Sequence, residues 1–203
     1  FFQTACHILR IVNQTAHTKR SERQRPINQL FAHALAHRAG CTIAGHDARL
    51  YYCDWDMFWT KHEDAVKHSL LRAISGGPIY VSDQIGDTNP DVLKPLVYHN
   101  GEILMMDHSA KPTEDCMFSD PMKTGVLKLH NTASWGSVKK GGGIAVYNLT
   151  DGIQDFSFRP ADIPQLEESD NYWVYDYFAK NAFSLGKQES YERRLDLGGF
   201  GWF

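Results

Sequence analysis

The 203-residue chain contains no apolar run near the roughly 20 residues that a membrane-spanning helix requires. A basic, apolar and small-residue leader is equally absent from its start. Cysteine is scarce. Cys6, Cys41, Cys53 and Cys116 form no Cys-x-x-Cys pair, and their spacing suits neither a zinc centre nor a disulfide framework. A reducing, cytoplasmic setting is the expectation. Net charge is only −3, which gives no general attraction to nucleic acid or to an anionic membrane. At 42% apolar and 12% aromatic, the chain can bury a core and does not read as disordered. Initiator Met is missing, and the sequence closes on the strand-like run Gly198–Phe203, so a piece of a longer protein is expected.

Acids are missing from one region in particular. The first 46 residues hold Glu22 alone against six Lys or Arg, with five of the ten histidines. From Asp47 onward there are 23 acids against 15 Lys or Arg. A basic arm is one reading. The preferred one is an aberrant segment, such as a shifted reading frame upstream of Leu50, because the hydrophobic pattern there is weak.

What is present is concentrated in Cys53-Asp54-Trp55-Asp56-Met57-Phe58-Trp59-Thr60, two carboxylates among three aromatics. Rings cover the apolar face of a sugar and carboxylates hold its hydroxyls. The competing reading is a core turn with solvated acids. Tyr51-Tyr52-Cys53 reads as a buried strand. Thr60 and Glu63 have capping-box spacing, and Val66, Leu70, Ala73 and Ile74 form one apolar stripe. Gly76-Gly77-Pro78 should stop that helix, and Ile79-Tyr80-Val81 should form a second strand. Strand, helix and strand in this space make a parallel βαβ unit. Asp54, Asp56 and Ser82-Asp83 then follow strand ends, where α/β barrels keep their chemistry.

Asn89-Pro90 should open a helix through about Val97, and His99-Asn100-Gly101 should turn the chain. Ile103–Met105, Val126–Leu129 and Ile144–Tyr147 read as strands. Gly141–Gly143 and Asp151-Gly152 read as turns, with Lys139-Lys140 solvated before the glycines. Phe156, Phe158, Trp173, Tyr175 and Tyr177 alternate as in an antiparallel β domain. His62-Glu63 lacks the second His of a zinc protease, since Val66 stands there, so no metal is expected. His62 and His68 should fall on different helix faces. Arg72 should pair locally, and Cys116 reads as a small buried hydrophobe. Asn148-Leu149-Thr150 has the glycosylation pattern but reads as a strand end.

Residues 54–83, with Lys111–Phe118, Val126–Asn131 and Gly143–Asn148, resemble the raffinose synthase and seed-imbibition-protein group. That group also holds the alkaline α-galactosidases, within glycoside hydrolase family 36. The resemblance implies the C-terminal part of a (β/α)8 barrel over residues 1–98, with residues 1–50 poorly matched. An antiparallel β-sandwich truncated at its end would follow over residues 99–203. It implies a retaining mechanism on α-galactosides, with no cofactor. A Lys-x-Asp nucleophile motif has no counterpart in the chain. The acid/base motif maps loosely onto Arg20-Ser21-Glu22-Arg23, which makes Glu22 the stand-in.

Carried over from the related lysosomal-type enzymes, Asp56 holds sugar hydroxyls, Met57 packs on the ring and Asp54 supports them. Trp55, Trp59 and Asp83 complete the substrate-binding candidates. The expected activity is α-galactoside hydrolysis on an oligosaccharide, by the longer protein and not by this piece alone. One alternative is a galactosyltransferase of raffinose synthase type, from which the stretch Phe58–Asp64 departs in plants. The other is a non-catalytic carbohydrate-binding module, which predicts glycan binding by residues 120–203. Preferred galactoside, linkage and oligomeric state are left open.

Overall fold

The computed structural model describes residues 57–117, 119–121, 123, 125–135 and 138–203. The expected strand Tyr51-Tyr52-Cys53 lies outside them. The described residues fall into two compact units. The first runs to Leu71 and resumes over Gly77–Glu102; the second comprises Arg72–Gly76 and Ile103–Phe203.

Helix α1 (Ala65–Ser75) begins in the first unit and its last residues are counted with the second, while the short helix α2 (Pro90–Leu93) lies in the first. α1 is not the amphipathic helix its apolar spacing implies. Leu70, Leu71 and Ile74 are buried, but Val66 is 47% exposed, and Lys67, His68, Ser69 and Arg72 are buried as well. Thr60 does not cap this helix, because its hydroxyl is bound to Asp83, 23 residues downstream. His62 precedes the first helical turn, so the helical wheel does not apply to it. Its ring meets that of His68 edge-on at 5.8 Å. Among the described residues Ile79–Val81 forms no ladder, and the Ser82 N–H after it donates to Phe58 O at 2.8 Å. Asn89 does cap α2, accepting from the Asp91 amide with Pro90 following. α2 ends early, at Leu93, and tightens into a 3-10 turn over Lys94–Leu96. Pro95 has no N–H to continue an α ladder.

The second unit is mostly antiparallel β-structure. Strands β1 (Lys111–Pro112), β2 (Val126–Trp135), β3 (Val138–Asn148) and β8 (Phe200–Trp202) form one sheet in the order β1-β2-β3-β8. β4 (Gln154–Phe158) pairs with β7 (Tyr191–Leu195), and β5 (Asn171–Asp176) with β6 (Asn181–Gly186). Ile103–Met105 is not a strand beyond an isolated bridge at Ile103.

Gly141–Gly143 is not a turn: these glycines lie inside β3, opposite Ala133, Thr132 and Asn131. Two of them have side chains packed close against them. A Cβ on Gly142 would meet Leu166 at 2.8 Å, and one on Gly143 would meet Met106 at 2.9 Å. Lys139-Lys140 therefore continues a strand.

The core is shared by all three sheets. Val126, Ile144 and Val146 meet Phe156, Phe158, Leu185, Leu195 and Phe203, with Val174 and Tyr191 packed against them. The ring of Phe203 lies 4.9 Å from Phe158 and 5.8 Å from Phe156. Burying each large side chain contributes about 1.5–3 kcal/mol to the unit's stability. Alternation along β5 holds, but with the opposite sense for its largest rings. Val174 faces the core, whereas Trp173 is 82% exposed and Tyr175 also faces out.

Candidate functional site

The described part of the acidic and aromatic stretch begins at Met57. Side chains alternate in extended backbone: Phe58 is fully buried, and its neighbours Met57 and Trp59 are 48% and 44% exposed. Phe58 stacks on the His68 ring of α1, with centroids 6.4 Å apart and planes 9° from parallel. One anchored ring thus sets two outward side chains of a kind that can cover the apolar face of a sugar. Glu22, Asp54, Trp55 and Asp56 lie outside the described residues.

Asp83, the remaining candidate, is turned onto its own chain. Its Oδ1 accepts from the Thr60 amide at 2.8 Å, and its Oδ2 accepts from the Thr60 hydroxyl at 2.7 Å. The same hydroxyl oxygen accepts from the Asn89 amide at 2.7 Å. Burial alone would raise the Asp83 pKa. The bonds from Thr60 and from the Thr88 side chain, with Lys61 nearby, outweigh that and hold it below the usual carboxylate value. Lys61 is itself paired with Asp87. Asp83 is therefore ionised at neutral pH and engaged by protein donors. The sequence signal for this was present in part: Ser-Asp residues commonly bond local amides. That the partner would be Thr60 was not legible.

Two polar nodes of the second unit escaped sequence reasoning. Lys128 is buried in β2, and its Nζ donates to Ser157 O and to Asp115 Oδ2, each at 2.6 Å. Burial raises the Asp115 pKa, but the bonds from Lys128 and Thr113 bring it below its ordinary value. Asp176, also buried, accepts from the amides of Phe178 and Ala179 and from Arg193. Cys116 is a buried thiol, as read; burial pushes its pKa up, against the reactive thiolate form.

Residues 35–153 match the family described as raffinose synthase or seed imbibition protein Sip1. Galactinol–sucrose galactosyltransferase of Pisum sativum is 44% identical over 101 residues, 49% of this chain and 12% of that protein. Stachyose synthase of Pisum sativum is 45% identical over 87 residues, 42% of this chain and 10% of that protein. The matched region thus spans about an eighth of the length of these curated relatives.

Among solved structures, a Bacillus halodurans protein proposed to be an alpha-N-acetylgalactosaminidase aligns with a TM-score of 0.56. Identity is 14%, and the alignment covers 83% of this chain and 41% of that one, so the likeness is one of fold. With the family match extending over more than half of its length, the chain belongs to the raffinose synthase or seed imbibition protein Sip1 family.

Proposed function

We propose that the protein carrying this chain acts on α-galactosides, cleaving the bond at the anomeric carbon of galactose with retention of configuration. The observation that carries this reading is the family match over residues 35–153, which includes the Asp54–Thr60 stretch. In this reading the first unit belongs to the end of a (β/α)8 barrel, and the second is a β-sandwich that follows it in the sequence. Asp56 accepts hydrogen bonds from two galactose hydroxyls, each charge-assisted bond contributing about 1.5–3 kcal/mol. Met57 packs on the ring, Trp55 and Trp59 border the sugar, and Asp54 supports Asp56.

A carboxylate from outside this chain attacks the anomeric carbon, while an acid protonates the departing oxygen. Glu22 is the candidate for that acid. The two groups stand about 5–5.5 Å apart in retaining enzymes. The deprotonated group then takes a proton from the acceptor hydroxyl, whose oxygen displaces the enzyme carboxylate. Water as acceptor gives hydrolysis, and a sugar gives transfer. The similar proteins of Pisum sativum, a galactinol–sucrose galactosyltransferase and a stachyose synthase, favour transfer as the second reading.

The test is to incubate the full-length protein with an α-galactoside, with and without sucrose, and to measure free galactose and the galactosylated product. Asp56→Ala should lower both by at least about tenfold, the equivalent of about 1.4 kcal/mol of lost sugar binding. Unchanged activity in that variant would overturn the site, and a wild type without turnover would overturn the function.

A further inference from the structure

We infer that Asp83 is a positioning residue, which through Thr60 fixes where Met57 and Trp59 stand against the sugar. The inference rests on the α-galactoside reading and names a part of the same site. Residues 57–60 and 82–89 are joined by no strand ladder. Four hydrogen bonds connect them instead. Ser82 N–H donates to Phe58 O, the Thr60 amide and hydroxyl donate to the two Asp83 oxygens, and the Asn89 amide donates to the Thr60 hydroxyl oxygen.

Three of the four run through Thr60, whose side chain is buried and one residue away from Trp59. Its hydroxyl hydrogen is committed to Asp83, so its lone pair is oriented towards Asn89. A carboxylate receiving a backbone amide and a hydroxyl from one residue fixes that residue in direction as well as distance. Phe58, seated on His68, supplies the second fixed point. Trp59 lies between the two anchors and Met57 just before them, so the backbone that carries both outward side chains is held at these points.

The consequence is a specific pattern of coupling. Displacing a substrate-facing group by about 1 Å can cost on the order of 100-fold in rate. Asp83→Ala and Thr60→Val should each lower kcat/KM for α-galactoside turnover by about 10- to 100-fold in the full-length protein. Because both act through one node, the double variant should be no worse than the weaker single one. Thr60→Ser keeps the amide and the hydroxyl and should stay within about threefold of wild type. All are compared at temperatures where circular dichroism shows each variant fully folded.

Additive losses, or a loss in Asp83→Ala with Thr60→Val unaffected, would make Asp83 a direct sugar contact and overturn the inference. Variants that melt earlier but turn over normally when folded would overturn it too. A wild type that turns over no α-galactoside overturns the functional reading and this role together, whereas an active wild type indifferent to the substitutions overturns only the role.

Discussion

Asn148 shows how much one side chain can do without touching a ligand. Its Nδ2 donates towards the carbonyls of Gly152, Leu195 and Asp196, at 2.7, 3.2 and 2.9 Å. Its Oδ1 accepts from the amide and the hydroxyl of Thr150. The end of β3, the turn after it and the end of β7 are thereby tied at one buried point. Asn148→Asp would turn a carboxylate towards those carbonyls and remove their donors. Orphaned buried groups cost about 1–3 kcal/mol each, so the variant should lose about 3 kcal/mol or more in guanidinium unfolding. A loss below about 1 kcal/mol would show that water replaces the amide. In the sequence this residue shows only a glycosylation pattern. Its acceptors stand up to 48 residues away, beyond the reach of any local rule. Thr60 teaches the same lesson: the capping-box spacing is real, but a carboxylate 23 residues downstream claims the hydroxyl.

At the scale of elements, α1 was legible at its stop and α2 at its start. Gly76 ends α1 where Gly-Gly-Pro predicts, with φ of +67°. A Cβ there would lie 2.1 Å from the carbonyl oxygen of His108, so strain and backbone collision coincide. Gly76→Ala should destabilise the fold by more than about 3 kcal/mol, well above the typical cost of a point substitution. The measurement is a urea melt; a loss near that of an ordinary helix-end substitution would mean that the His108 segment yields. Gly141–Gly143 was misread for a related reason. Three successive glycines signal a turn in isolation, but here they continue a strand, with the ends of the Leu166 and Met106 side chains lying beside Gly142 and Gly143. Of the candidate site, the outward Met57 and Trp59 follow from simple alternation around a buried Phe58. The clasp through Asp83 joins segments that no periodicity connects.

For the molecule as a whole, the legible property is its response to acid. His130 of β2 lies opposite Lys111 across the β1–β2 pair. Burial lowers its pKa to about 4, helped by the positive charge of Lys111 and opposed by Asp162. In the unfolded chain the same imidazole titrates near an ordinary value of about 6.5. Between these values the unfolded state binds the extra proton, so stability falls as pH drops from about 6.5 to about 4. The carboxylates of Asp83 and Asp115 are shifted below their ordinary values, so their contribution is present above about pH 4 and is lost only at lower pH. Acid weakening should therefore come in two stages, histidine first. The histidine stage contributes at most about 3 kcal/mol. Guanidinium unfolding at pH 7, 5.5 and 4.5 should show the midpoint falling, and His130→Gln should flatten that interval while leaving the lower carboxylate stage intact. A wild type whose midpoint is level from pH 7 to 4.5 would show that His130 gains its proton in the folded state as readily as in the unfolded one. The packing of β2 against its neighbours would then be looser at that position than the burial of the ring implies.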